Sequence, residues 1–126
     1  IAKSMPGIGW YTAIRFVLEF GEDLSRFTSG KQIAGFVGLG CSEYSTGETE
    51  NRGRITGVGS GFIRATLIEN SWVAIRKDPV LLDKYNRVYR NSGSKKKAIV
   101  AVARMLIVRF RACMMSGKPY VIGVIQ

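Results

Sequence analysis

Residues 94–115 read SKKKAIVAVARMLIVRFRACMM, and this stretch decides the fold class. Its spacing predicts one long helix from Ser94 to Met115, about 33 Å at helical rise, which Gly117 and Pro119 end. Six residues are predicted to share its buried face: Ile99, Val102, Ala103, Leu106, Phe110 and Cys113. A helix of this length and apolarity indicates a mainly α domain.

The opposite side of this helix carries Lys97, Arg104 and Arg111, which recur every seven residues. They share that side with four apolar residues, Val100, Ala101, Val108 and Met115. Because a surface helix is not apolar all round, we expect part of this side to contact a missing domain or a second subunit. The alternative is a basic strip along a solvated helix.

Helical spacing recurs before this segment, with glycine, serine or proline at the boundaries. The predicted helices are Trp10–Phe20, Lys31–Leu39, Gly61–Lys77 and Val80–Asn91. Strand-like patterns are limited to Arg54–Val58 and the tail Tyr120–Ile125. We therefore expect residues 1–126 to form a single compact, mainly α domain.

The charge is concentrated in the last third of the chain. All nine acidic residues lie at or before Asp83, whereas residues 84–126 hold ten of the nineteen Lys and Arg. A local field of this sign favours a nucleic acid, because cations displace the counterions of its backbone. Lys95, Lys96, Lys97, Arg104 and Arg111 are the predicted contacts here. Dispersed solubilising charge would not leave one end free of carboxylates.

The segment Met5-Pro6-Gly7-Ile8-Gly9 precedes the first predicted helix. Glycine amides beside a helix N-terminus can point at a phosphate, and Gly7, Ile8 and Gly9 resemble the turn of a helix-hairpin-helix motif. The plainer interpretation is a glycine turn in which Ile8 fills the core. The two interpretations are compatible.

Residues 40–60 form a polar tract, GCSEYSTGETENRGRITGVGS, predicted to be a long loop or a short hairpin. Loops of this length carry function or merely connect, and we expect chemistry here. Glu43, Glu48 and Glu50 could suggest a cation, but they match no calcium-loop pattern, so no metal site is predicted. The chain has no histidine, which excludes histidine-based catalysis. Both thiols, Cys41 and Cys113, are expected to be reduced, and Cys113 to lie in the core.

The order of five segments resembles a known family. PGIG, GFVGLGCSEYSTGE, NRGRITGVGSGFIRATLIENSW, KKKAIVAVARMLIVRF and SGKPY occur in this order. They are similar to the C-terminal transposase domain of the DEDD transposases of bacterial insertion sequences, the IS-one-ten family, and to the Piv-type DNA invertases. The resemblance implies that an N-terminal RuvC-like domain, absent here, holds Mg²⁺ with four carboxylates. The lack of an initiator Met fits a piece of a longer protein.

The resemblance also implies a nucleophile. The family pattern Gly-Leu-x-Pro, Ser-Gly, Arg-Gly-x-(Ile/Met)-(Thr/Ser) corresponds to Gly38-Leu39-Gly40-Cys41, Thr46-Gly47 and Arg52-Gly53-Arg54-Ile55-Thr56, with Cys41 in place of the proline. Thr46 stands where the family has its nucleophilic serine, and its methyl group crowds attack on phosphorus. Ser45 could replace it only if the loop shifts. Arg52, Arg54 and Arg64 would stabilise the charged transition state, or only hold DNA.

As implied partners we expect DNA, with a structured guide RNA as a further candidate, and additional copies of the full-length protein in the bacterial cytoplasm, at the nucleoid. The isolated chain is expected to be inactive without the metal-binding domain. One alternative is a non-catalytic basic helical module, or a degenerate transposase remnant marked by Thr46. Another is an oligomerisation domain that uses the apolar C-terminal helix.

Overall fold

The computed structural model describes residues 4–21, 24–39 and 58–123. Within these ranges the chain is helical with no strand, which confirms the mainly α prediction. The helices are α1 Trp10–Phe20, α2 Gly30–Phe36, α3 Val58–Lys77, α4 Pro79–Ser92 and α5 Lys95–Ser116. Helix α3 begins at Val58, so the last three residues of the predicted polar tract are helical, and Val58 is not the strand end predicted for Arg54–Val58.

Side-chain caps set the starts of three helices. Ser29 Oγ accepts a hydrogen bond from the Gln32 amide at α2, and Ser94 Oγ accepts one from Lys97 at α5. Asp78 Oδ1 accepts one from Val80 at α4, where Pro79 occupies the first helical position. Helices α1, α4 and α5 end at glycines with positive φ, as the sequence predicted: Gly21, Gly93 and Gly117.

Helix α5 is the central helix of the domain. It contacts α2, α3 and α4. All six residues predicted for its buried face are buried, as are Ala98, Ala101, Ile107 and Arg109. This arrangement explains why the helix is apolar almost all round.

The expected missing domain or second subunit is therefore not needed to explain the outer side of α5. Helix α2 covers part of it, because Gly30 lies against Val108: a Cβ on Gly30 would come within 2.7 Å of Val108 Cγ1. Val100 and Val108 are half-buried within the domain itself. Contact of the remaining outer side of α5 with a further domain or a second subunit stays a prediction, because helical spacing shows which residues share a face but not which neighbour covers it.

Aromatic rings join α1 and α2 to α5. The ring of Phe16 meets Phe110 edge-on, with centroids 5.3 Å apart, and Phe20 lies 5.8 Å from the same ring. Phe27 and Phe36 extend this cluster. Edge-to-face pairs of this kind add to the stabilisation that burial provides.

The tail does not form the strand predicted for Tyr120–Ile125. Its described part, residues 120–123, is an irregular segment ending in a turn. The Tyr120 amide donates to Ser4 Oγ at 2.8 Å, and the Gly123 amide donates to Asp78 Oδ1 at 3.1 Å. These two amides donate to side chains rather than to a neighbouring strand, so they form no β-ladder.

Candidate nucleic-acid interface

A tight turn brings the start of the described chain against α3. The Ile8 amide donates to the Met5 carbonyl at 3.2 Å, and Gly7 has φ of 82°. Pro6 followed by a glycine of positive φ is typical of a type II turn. A Cβ on Gly7 would lie 2.5 Å from the Asn70 carbonyl oxygen. Gly7 is therefore required both for the turn and for its close approach to α3.

The three residues predicted to meet a phosphate occupy different environments. Ile8 is buried, which confirms that it fills the core. Gly9 is exposed, precedes α1 as its cap residue, and provides no side-chain cap. The first turn of α1 also has no acidic residue. The side chains of Trp10 and Tyr11 at this end of α1 are exposed beside the turn, and the phosphate contact of Gly7 and Gly9 stays a prediction.

Lys77 adds a positive charge to this region, and the sequence prediction missed it. A surface depression of about 390 Å³ lies between the turn and the C-terminal end of α3. Its lining comprises residues 4–9 with Val73, Lys77 and Ile122. Lys77 is the charged side chain of this lining, and it is exposed. A depression with one ammonium group beside a helix N-terminus fits an anionic group.

A buried polar network lies beside Lys77. Tyr120 donates its hydroxyl hydrogen to Asp78 Oδ2, and Arg109 Nη1 donates to the Tyr120 oxygen at 2.8 Å. Arg109 and Asp78 are 4% and 1% exposed, and their closest charged atoms are 3.9 Å apart. Burial, with the hydrogen bond to Asp78, raises the pKa of Tyr120 to about 12, although Arg109 opposes the shift. The SGKPY segment was the one sequence signal for this network.

Arg104 and Arg111 have structural partners that the heptad spacing did not reveal. Arg104 Nε donates to the Leu39 carbonyl at 2.6 Å, and Arg111 Nε donates to the Phe27 carbonyl at 2.8 Å. Both side chains are half-buried. Their predicted contact with nucleic acid is untested, but each holds the backbone on one side of α2.

Arg64 lies on α3, beside the residues that lead into the polar tract. Its guanidinium rests against Gly38, where an added Cβ would be 3.3 Å from Nη1, and the side chain is exposed. The remaining predicted residues of the reactive loop, Ser45, Thr46, Arg52 and Arg54, lie outside the described residues. The structure therefore places one of the three predicted arginines, next to the residue pair Gly38-Leu39 that leads into that tract.

Lys95, Lys96 and Lys97 are exposed in the first turn of α5. Cations at a helix N-terminus oppose the helix dipole and do not stabilise the helix. Helix stability therefore does not explain three consecutive lysines at this position. A polyanionic partner would explain them, because it would bind more tightly to a surface with these three charges.

The comparisons with known proteins define the class as insertion-sequence transposases. The chain belongs to the Transposase IS116/IS110/IS902 family, whose model matches residues 1–86. It is 31% identical to "Putative transposase y4qE" of Sinorhizobium fredii (strain NBRC 101917 / NGR234) over 116 residues, 92% of this chain and 30% of that protein. It is 33% identical over 95 residues to "Putative transposase y4rJ" of the same strain, covering 71% of this chain and 24% of that protein.

The chain thus spans less than a third of the length of these curated relatives. No solved structure matches it significantly. Among the helices in the described ranges, none is long and apolar enough to cross a membrane.

Proposed function

We propose that this chain is the DNA-binding, strand-exchange domain of an insertion-sequence transposase, and that the Gly7–Gly9 turn binds a DNA phosphate together with Lys77. The observation that carries the binding part is the depression between the turn and Lys77, beside the N-terminal end of α1, which has no side-chain cap. A phosphate there would accept hydrogen bonds from backbone amides and pair with the ammonium group.

The other exposed cations would act on the same polyanion at longer range. Lys95, Lys96 and Lys97 lie in the first turn of α5, and Arg76 and Arg90 are exposed on α3 and α4. Asp83 is the last acidic residue of the chain, and it already pairs with Arg87 at 3.0 Å. The exposed charges of α4 and of the first turn of α5 are therefore net positive, which would speed association with DNA at low salt.

The chemical part of the proposal follows the family resemblance. The Thr46 hydroxyl oxygen attacks a DNA phosphorus, the bond from phosphorus to a sugar oxygen breaks, and the sugar leaves as an alcohol that takes up a proton. The threonine proton would pass to a carboxylate of the RuvC-like domain. A sugar hydroxyl of the exchanged strand then attacks the phosphothreonine and restores Thr46. Arg64 at Gly38, with Arg52 and Arg54, would stabilise the charge on the phosphoryl oxygens.

The proposal places Mg²⁺ outside this chain. Among the described residues no group of carboxylates converges to hold a cation. Glu19 and Asp83 form ion pairs on their own helices, with Arg15 and Arg87, and Asp78 is buried in the tyrosine network. When bound elsewhere, the metal would polarise the phosphate, while this chain holds and orients the strand. The full-length protein would act as an oligomer on DNA at the bacterial nucleoid, in the cytoplasm, with a structured RNA as a further candidate partner.

Binding is tested with the purified chain and a fluorescent DNA duplex, over a series of salt concentrations. We expect Lys77→Ala to weaken binding at low salt and to reduce the slope of log K against log salt by about 0.9, the loss of one phosphate contact. Lys31→Ala, at an exposed lysine of α2, is the matched control and should change neither. Wild-type affinity and slope in Lys77→Ala would contradict the proposed phosphate site.

The nucleophile is tested in the full-length transposase, with strand exchange on its own DNA ends as the readout. Thr46→Ala should abolish exchange, Thr46→Ser should retain or increase it, and Ser45→Ala should leave it unchanged. Exchange that survives Thr46→Ala would exclude this nucleophile. Exchange that is absent in wild type and in Thr46→Ser would instead support the alternative of a non-catalytic, DNA-binding remnant, which the threonine at this position favours.

A further inference from the structure

We infer that the C-terminal tail positions the phosphate-binding turn, with Tyr120 as the positioning residue, so that DNA affinity depends on a buried hydroxyl that does not itself touch DNA. This inference rests on the proposed function, because it assigns a role to residues around the same depression. In the described residues the tail is the segment 118–123.

Tyr120 connects three segments of the chain. Its amide donates to Ser4 Oγ at 2.8 Å, its hydroxyl donates to Asp78 Oδ2, and Arg109 donates to its oxygen. Ser4 directly precedes Met5, whose carbonyl closes the turn by accepting from Ile8. A displacement of Tyr120 would therefore be transmitted to the turn within one residue.

Asp78 fixes the other wall of the depression. Its Oδ1 accepts hydrogen bonds from the Val80 amide at 2.9 Å and the Gly123 amide at 3.1 Å, while its Oδ2 accepts from Tyr120. Lys77 is the preceding residue, at the end of α3. The same carboxylate thus holds the tail and the backbone next to the proposed phosphate ligand, and Ile122 of the tail lines the depression.

Stability alone does not explain this network. A buried ion pair such as Arg109 with Asp78 can often be replaced by apolar residues without loss of stability, because its desolvation cost offsets the attraction. Hydrogen bonds, unlike apolar contacts, fix direction as well as proximity. Here the directed bonds join the tail to the segment before the turn and to the residue after Lys77.

The test is a double-mutant cycle on the affinity of the whole chain for a DNA duplex, at a temperature at which every variant is folded by circular dichroism. Tyr120→Phe keeps the ring and removes the hydroxyl bonds, and we expect it to raise Kd by about tenfold. In the double variant with Lys77→Ala, the combined effect should be clearly smaller than the product of the two single effects. Tyr89→Phe, at an exposed tyrosine of α4, should leave Kd unchanged.

Ser4→Ala provides a second, milder variant if Tyr120→Phe does not fold. It removes the acceptor of the Tyr120 amide and leaves the Tyr120 hydroxyl in place, and it should also raise Kd. A Kd within about twofold of wild type in the folded variants would overturn the inference. So would a double variant with Lys77→Ala whose change in Kd equals the product of the changes in the two single variants.

Hydrogen exchange separates this inference from the proposed function. Tyr120→Phe should speed exchange of the Ile8 amide, which bonds to the Met5 carbonyl, more than exchange of amides in α5. If the wild-type chain shows no salt-dependent DNA binding while the Ile8 amide responds in this way, the proposed function fails and the coupling of tail to turn stands. If DNA binds but neither Kd nor the exchange rate changes, the tail has no positioning role.

Discussion

Arg104 Nε lies 2.6 Å from the carbonyl oxygen of Leu39, a residue 65 positions earlier in the chain. Seven residues further along the same helix, Arg111 makes the equivalent bond to Phe27. Leu39 and Phe27 flank α2 on its two sides, so the two arginines hold that helix against α5 at both ends. Because Leu39 also precedes the polar tract, Arg104 fixes the point where that tract begins.

The first prediction concerns the role of Arg104. Arg104→Lys keeps the charge but loses the planar guanidinium donor, so the free energy of unfolding should fall by about 1–2 kcal/mol. Lys97→Ala, at an exposed residue of the same heptad series, should change it by less than about 0.5 kcal/mol while weakening DNA binding. Urea denaturation measures the free energy of unfolding. A Lys97→Ala variant less stable than Arg104→Lys would contradict the structural role of Arg104.

Helix positions were predictable because local chemistry sets them. Ser29, Pro79, Gly93 and Gly117 mark boundaries through caps and allowed φ values that depend on near neighbours alone. The partners of Arg104 and Arg111 depend instead on where α2 packs. Heptad spacing places these arginines on one face, but the neighbouring sequence does not predict that α2 covers that face.

The second prediction compares the two glycines of the turn. Gly7→Ala should lower the free energy of unfolding by more than about 2 kcal/mol, because φ is positive and the new Cβ would meet the Asn70 carbonyl at 2.5 Å. At Gly9, φ is −89° and an added Cβ meets nothing within 4 Å.

Gly9→Ser should therefore fold, and its hydroxyl should cap α1 at little or no cost in stability. The same hydroxyl would occupy amides that the proposed phosphate requires, so DNA affinity should fall. Thermal unfolding measures the stability of Gly9→Ser, and DNA titration on the same samples measures the loss of affinity. Equal or tighter DNA binding by Gly9→Ser would argue against the amide contact.

The third prediction concerns the two sides of α1. Phe16 is fully buried between Phe20 and Phe110, whereas Leu18 on the same helix is 72% exposed. Phe16→Ala should cost about 3–5 kcal/mol of unfolding free energy, and Leu18→Ala less than about 0.5 kcal/mol. Urea denaturation of the two variants in parallel measures both changes in unfolding free energy. Comparable changes in the two variants would show that the outward side of α1 is covered in solution.

The candidate site was predictable only in part. The turn was predicted because a Pro-Gly pair before a helix is a local signal, and the lysines of α5 because their charges are consecutive in sequence. The network of Asp78, Arg109 and Tyr120 was missed, since Asp78 and Tyr120 are 42 positions apart and the three residues meet only after α3, α4 and α5 have packed. Lys77 was missed with it, because it is next to Asp78.

The fourth prediction is a loss of stability at alkaline pH that depends on Tyr120. The folded chain holds the pKa of this hydroxyl at about 12, above the ordinary value of 10.0, because burial and the bond to Asp78 favour the neutral form. The unfolded chain therefore loses this proton first as the pH rises. The stabilisation is complete below about pH 10 and is lost as the pH rises through about 12.

Other tyrosines and lysines titrate in the same range, so the test compares wild type with Tyr120→Phe, in which they are retained. Below about pH 10 wild type should be the more stable, because the substitution leaves Asp78 and Arg109 without the hydroxyl between them. The difference in unfolding free energy should then shrink by about 2 kcal/mol between about pH 10 and 12, since the unfolded chain has lost the proton over this window and the folded chain has lost about half of it. A difference that stays constant across this window, followed by urea denaturation at each pH, would mean that the Tyr120 hydroxyl is not held in the neutral form by the folded chain.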